Sequence, residues 1–144
     1  MSQSEARGTC VFCRIIAGEL PSNRVWEDEA VVAFLDIAPI VKGHALVVPR
    51  EHVELFTDLP SESLHRVMDG AQRVARAMVR GLGADGVNVF VANGAAAGQV
   101  VPHVHVHVIP RYEHDGHRWN WSAGRYQDAA EAQAIRDRIV AALG

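Results

Sequence analysis

The chain has no surplus of positive charge and no long apolar run. Its 144 residues carry a formal net charge of −3 with a pI near 6.2, so it offers no basic stripe for the phosphates of a polynucleotide. No stretch approaches the roughly 18 consecutive apolar residues needed to cross a bilayer. Nucleic acid polymers and membranes are thereby set aside as partners. Met1 to Gly8 lack the charged start and apolar middle of a secretory signal, and the expectation is a cytoplasmic protein. Cysteine is scarce: there are two, spaced Cys10-Val11-Phe12-Cys13. In a reducing compartment that spacing points to half of a zinc site or to a redox pair rather than to a disulfide. Internal repeats and low-complexity tracts are missing too. With 49% hydrophobic and 22% charged residues, the chain is able to bury one core, and a single domain over residues 1–144 is expected.

Against that plain background, His103-Val104-His105-Val106-His107-Val108-Ile109-Pro110 alternates imidazole with valine. On a strand successive side chains face opposite ways, so all three rings are expected on one face and the valines on the other. The valines account for themselves as core. Three buried imidazoles each need hydrogen-bond partners, and together they mark a candidate site.

The rest of the chain reads as alternating short elements. Residues 1–9 look like a loose tail. Val11, Phe12, Ile15 and Ile16 keep helical spacing until Gly18 and Pro21. Arg24 to Glu27 and Ala30 to Leu35 form a hairpin around Asp28-Glu29, with Asp36 just past its end. His44 to Pro49 is an apolar strand with His44 at its mouth, closed by a proline that cannot extend the ladder. Leu64, Val67, Met68, Ala71, Val74, Ala75, Met78 and Val79 predict a long amphipathic helix from Ser61 to about Gly81–Gly83. Gly86 to Ala92 is a strand, and Asn93 to Gln99 a small-residue loop leading into the histidines. Residues 112–144 hold a polar and aromatic loop, then a helix from Asp128 to Leu143. Antiparallel strands covered by one long helix make an α+β fold.

Three readings compete for the histidines: a mononuclear metal site, a nucleophilic imidazole oriented by a neighbouring one, or a binding face without chemistry. Gly94, Gly98 and Gln99 offer backbone and amide donors, which suit phosphate oxygens better than a metal shell. The loop therefore favours phosphorus chemistry.

Four motifs then combine: Cys10-Val11-Phe12-Cys13-x-Ile15-Ile16-x-Gly18-Glu19-x-Pro21, Gly43-His44-Ala45-Leu46-Val47-Val48-Pro49, Gly98-Gln99-Val100-Val101, and His103-x-His105-x-His107. In this order, from Cys10 to about Arg111, they resemble the histidine triad (HIT) family of nucleotide hydrolases and transferases. The resemblance implies an α+β domain with a short N-terminal helix, whose sheet joins that of a second subunit in a homodimer. It implies a purine nucleotide as substrate, such as an adenosine monophosphate derivative substituted on the α-phosphate. His105 resembles the nucleophile, which becomes nucleotidylated and is released by water. His107, His44 and His103 resemble its catalytic partners. Asn93, Gly98 and Gln99 fall in the phosphate-contacting segment, Asp36 at the ribose-binding acid, and Phe12, Ile15, Leu20, Phe34, Ile37 and Leu46 in the apolar slot around the base. Some bacterial members hold a structural zinc, for which Cys10, Cys13, His52 and His103 are the matching ligands. No cofactor is then required for the chemistry itself.

Two positions depart from the family pattern. Val100 stands where Ser or Thr is frequent, and Ala92 where an amide side chain is frequent. Loss of one oxyanion donor lowers turnover by roughly a hundredfold in other enzymes, so a nucleotide-binding or regulatory protein with little turnover is the alternative. Pro110-Arg111 resembles the branch that cleaves dinucleoside polyphosphates, whereas the Cys-x-x-Cys opening resembles other bacterial members, leaving phosphoramidates and polyphosphates both open. Trp119 and Trp121 are placed to stack on a leaving group or to pack on a second subunit.

Overall fold

The apolar runs Val31–Leu35 and Ala45–Pro49 are continuous rather than alternating, the pattern of strands buried on both faces. A computed structural model of the protein describes residues 3–118 and 122–144. Its elements are α1 (Gln3–Thr9), α2 (Val11–Ile16), β1 (Arg24–Glu27), β2 (Val31–Leu35), β3 (Ala45–Pro49), α3 (Ser61–Leu82), β4 (Gly86–Phe90), β5 (Val106–Arg111) and α4 (Ala129–Ala141). The strands form one antiparallel sheet in the order β1-β2-β3-β5-β4, so the fold is α+β as expected.

Each face of the sheet has its own core. Val31, Ala33, Ala45, Val47, Val106 and Val108 pack against Val67, Ala71, Val74 and Met78 of α3. Val32, Phe34, Leu46 and Val48 face the other way, against Cys10 and Phe12 around α2. Val106 and Val108 of the histidine stretch thus belong to the α3 side, which leaves His105 and His107 for the α2 side.

Helix α3 ends where the sequence stops it, at Gly83, whose φ of 68° is left-handed and whose amide bonds back to Met78. Its apolar stripe is wider than the sheet needs: Met68 and Val79 are exposed. The closest approach is made instead by Gly70, where an added Cβ would lie 3.0 Å from the Trp26 ring and 3.1 Å from Val47. A glycine in the middle of a helix is here a spacing device.

Three expectations need correction. Residues 3–9 form helix α1 rather than a loose tail; Glu5 in its first turn and Arg7 in its last suit the helix dipole. The ladder does not run through all three histidines, because β5 begins at Val106. Pro49 has no N–H to give, its carbonyl is taken by the His103 ring, and the Val104 amide turns to the Val53 carbonyl. Pairing between β3 and β5 therefore stops at Val47 and Val106. The C-terminal helix starts one residue late, with Asp128 as its cap, accepting from the Glu131 amide at 2.8 Å. Trp119 and Trp121 lie outside the described residues. Among those described, no helix is long and apolar enough to cross a membrane.

Gly70→Ala is expected to destabilise the fold, although alanine is the better helix former by about 1 kcal/mol. Gly81, also in α3, has nothing within 4 Å of an added Cβ, so Gly81→Ala should stabilise by up to about 1 kcal/mol. Urea unfolding followed by circular dichroism measures both; equal effects would refute the close-packing role of Gly70.

Candidate active site

A cavity of about 550 Å³ opens between α2, the end of β2 and the loop before the histidines. Phe12, Phe34, Leu46 and Ile15 supply apolar walls, the two phenylalanine rings meeting edge to face at 5.5 Å. Asp36, Ser22 and Asn23 supply polar ones, and His105 and His107 line it together with Gly98. Val11, Pro21, Leu35, Val100 and Val101 line it as well. Sequence reasoning missed Ser22 and Asn23, which carry no motif of their own and reach the cavity only because the chain turns after Pro21.

Hydrogen bonds assign the tautomer of each imidazole. The Ile40 amide donates to Nδ1 of His44 at 3.1 Å, so the His44 proton sits on Nε2. That proton faces Nδ1 of His107 at 2.9 Å, which places the His107 proton on its own Nε2. His105 is set differently: its Nδ1 lies 2.7 Å from the His103 carbonyl, which only accepts. The His105 proton is on Nδ1, and Nε2 carries a lone pair.

Burial keeps this chain neutral. Desolvation lowers the pKa of His44 and of His105, and takes His107 down to about 4. Asp36 Oδ2 lies 3.8 Å from Nε2 of His44, but with a neutral ring this is no ion pair. Asp36, His44 and His107 do bring ligand atoms within 4.8 Å of one another. The Ile40 amide, however, leaves His44 Nε2 protonated rather than open to a cation, so Ile40, His44 and His107 form a hydrogen-bond relay with Asp36 beside it. Phe90 stacks on His107 at 4.3 Å and holds the ring plane.

His103 is turned away from the cavity. It is fully buried; Nε2 donates to the Pro49 carbonyl at 2.8 Å, and Nδ1 faces a second cluster. His103 was expected both among the catalytic partners and among the zinc ligands; with Nε2 on the Pro49 carbonyl and Nδ1 on the second cluster, neither of its nitrogens faces the cavity. Around Nδ1 stand Cys10 Sγ at 3.4 Å, Cys13 Sγ at 3.5 Å and His52 Nδ1 at 3.2 Å, with Cys13 Sγ 3.3 Å from His52. One lone pair cannot bond three donors at once. Four ligands on a tetrahedral zinc stand roughly 3.3–3.8 Å apart, and these spacings match. Helix α2 creates the pair, since Cys10 caps it and Cys13 follows one turn later. Burial and then the neighbouring Cys10 push the Cys13 thiol up to about 12, with Arg7 pulling weakly the other way. A dication would reverse that cost.

The loop before the histidines behaves less like a cradle than expected. The Gln99 side chain accepts from the Gly94 amide at 2.7 Å and donates to the carbonyls of Glu54 and Val101. It staples the loop and does not line the cavity. Asn93 does the same, its Oδ1 accepting from Thr57. The amides of Ala97, Gly98 and Gln99 point back to Gly94 and Ala95. Those of Val100 and Val101 have no hydrogen-bond partner among the described residues. Leu20 is half-buried but does not line the cavity.

Comparison with known proteins agrees with this geometry. The HIT domain family profile matches residues 17–114. An uncharacterised HIT-like protein of Methanocaldococcus jannaschii is 50% identical over 107 residues, 74% of this chain and 82% of that one. The adenylylsulfatase HINT3 of Arabidopsis thaliana is 37% identical over 80% of this chain and 58% of its own. Among solved structures, a HIT family member from Bacillus subtilis superposes with a TM-score of 0.88 at 39% identity, covering 94% of this chain and 98% of the other. A zinc-bound histidine triad protein from Mycobacterium smegmatis gives 0.73 at 37% identity, covering 95% and 99%.

The neutral relay makes stability depend on pH. A histidine whose pKa is depressed on folding contributes fully above its ordinary value of 6.5, and for His107 the contribution is lost as pH falls toward about 4. Unfolding free energy should therefore decline from pH 7 to pH 5, with a shallower slope in His107→Asn. Parallel slopes in the two proteins would show that His107 is not held neutral.

Proposed function

The chain belongs to the histidine triad family, and from that premise we propose a cytoplasmic, homodimeric hydrolase or transferase of purine nucleotides substituted on the α-phosphate. The observation that carries this reading is the tautomer of His105. Its Nδ1–H is tied to the His103 carbonyl, so the lone pair on Nε2 is free in a cavity it shares with His107 and Asp36.

The base enters between Phe12, Phe34, Leu46, Ile15 and Ile37, and the ribose hydroxyls meet Asp36, whose Oδ1 is steadied by the Ala38 amide at 2.9 Å. His105 Nε2 attacks the α-phosphorus; a P–N bond forms, and the bond to the substituent breaks. The departing group leaves with the bonding electrons and takes a proton from water, and the hydroxide so formed takes up the proton released by the second water as that water attacks. Water then attacks phosphorus, the P–N bond breaks, and the lone pair returns to Nε2 as the nucleoside monophosphate departs. The Nε2–H of His107, fixed through His44 by the Ile40 amide, donates to charge developing on the phosphoryl group. The unpartnered amides of Val100 and Val101 take over from the hydroxyl that Val100 lacks.

Cys10, Cys13, His52 and His103 would hold one zinc ion. A closed set of two thiolates and two imidazoles makes that ion structural, and the chemistry needs no cofactor. It would fix His103, and through the His103 carbonyl the nucleophile. The second subunit pairs at β4, an edge strand with Val89 exposed.

Mass spectrometry after mixing with a slow substrate should detect a nucleotidyl adduct that disappears in His105→Ala, with kcat/KM falling by about 10⁴-fold or more. Binding of adenosine monophosphate with hydrolysis indifferent to His105→Ala would instead make this a nucleotide-binding protein. Elemental analysis should find close to one zinc per chain in protein purified without chelator, lost in His52→Ala. Metal-free wild-type protein of equal stability would refute the structural ion.

A further inference from the structure

The two cysteines differ in access. Cys10 is 4% exposed, enclosed with Phe12, Val32 and Val48. Cys13, one helical turn on, is half-buried and lines a separate cavity of about 450 Å³, away from His105 and His107. The guanidinium groups of Arg7, Arg14 and Arg50 line that cavity too. Arg14 pairs with Glu19 and Arg50 with Glu27, whereas Arg7 has no ion pair among the described residues. A partly exposed sulfur in an electropositive recess is the setting of a reactive cysteine, and a buried one is inert until its partner reacts.

The second sulfur is within reach of the first. Both stand against one nitrogen of His103, at 3.4 and 3.5 Å, and the four ligand atoms of the cluster lie within 4.8 Å of one another. Cys10 is the N-cap of α2, and its sulfur accepts from the Cys13 amide at 3.5 Å. Closing the gap to the roughly 2.05 Å of a disulfide is within the rotation of two side chains in Cys-x-x-Cys spacing at a helix start.

Resting on the structural-zinc reading, which supplies both sulfurs as thiolates, and independent of the hydrolase reading, we propose that Cys13 is a peroxide-reactive site and Cys10 its resolving partner, so that oxidation joins them and dismantles the metal cluster. The Cys13 sulfur attacks one oxygen of hydrogen peroxide; the O–O bond breaks, hydroxide departs, and the sulfur is oxidised to a sulfenic acid. The Cys10 sulfur attacks that sulfur; an S–S bond forms, the S–O bond breaks, and a second hydroxide departs. Peroxide gains two electrons, the two sulfurs together lose them, and both hydroxides take protons from solvent. A disulfide offers no thiolate, so of the four ligands only His52 and His103 remain.

The test treats the full chain, purified without chelator, with hydrogen peroxide in the presence of a chromogenic zinc chelator. Intact mass should fall by two hydrogens, zinc should be released in step, one ion per disulfide, and a thiol reductant should restore the mass. With dimedone present from the start, digestion and mass spectrometry should find the sulfenic-acid adduct on Cys13 in excess of Cys10 by about tenfold or more, in the wild type and in Cys10→Ser, where no second sulfur competes. The wild-type adduct is read whether or not Cys10→Ser folds. Zinc retained with both thiols intact, or adducts equal on the two cysteines, overturns the proposal and leaves the structural ion in place. Protein that holds no zinc before treatment removes the ion and the proposal with it.

Discussion

The imidazole of His103 has no exposure to solvent, so both of its nitrogens must find partners inside the protein. Nε2 finds the carbonyl of Pro49, the last residue of β3. Nδ1 then has one direction left, toward Cys10, Cys13 and His52. The carbonyl of the same residue accepts the Nδ1–H of His105. One residue thus joins the N-terminal helices, the end of a central strand and the candidate nucleophile. Its two ring nitrogens and its carbonyl cannot be rearranged singly, because each buried partner would be left unpaired.

From this constraint the division of labour follows. Proton positions in His44 and His107 are set from the other side, by the Ile40 amide, so the two halves of the histidine system are clamped independently. The lone pair of His105 comes from the first clamp and the donor of His107 from the second. Burial on the α2 face keeps both rings uncharged. On the opposite face of β5, Val106 and Val108 pack against α3, which gives the strand rigid support without contributing chemistry.

Much of the site was legible because alternation and short motifs report local geometry well. Asp36 past the end of β2 and His44 at the mouth of β3 are neighbours across the β2–β3 pairing, where the Asp36 amide bonds the His44 carbonyl at 2.9 Å. Phe12, Phe34 and Leu46 came together as expected because period-two alternation places Phe34 and Leu46 on the α2 face. Gln99 and Asn93 do not line the cavity, for a physical reason. A polar side chain in a tight loop finds the backbone amides and carbonyls around it before any ligand arrives. Arg111 illustrates the same effect: its guanidinium is committed to Asp115 four residues on. Leu20 followed the motif but faces elsewhere once the chain turns at Pro21.

By itself the sequence determined the two faces of the sheet, the long helix and its stop at Gly83, and which residue types meet near the histidines, since all of these rest on period, propensity and left-handed glycine. Only the tertiary structure decided which nitrogen of each imidazole carries the proton. Imidazole nitrogens are identical in a sequence, and they become donor or lone pair through partners as distant as Pro49, Ile40 and Cys10. The end of the β3–β5 ladder at Val47 and Val106 was likewise decided in three dimensions. It depends on competition between the His103 ring and the strand backbone for one carbonyl, and no local pattern records that.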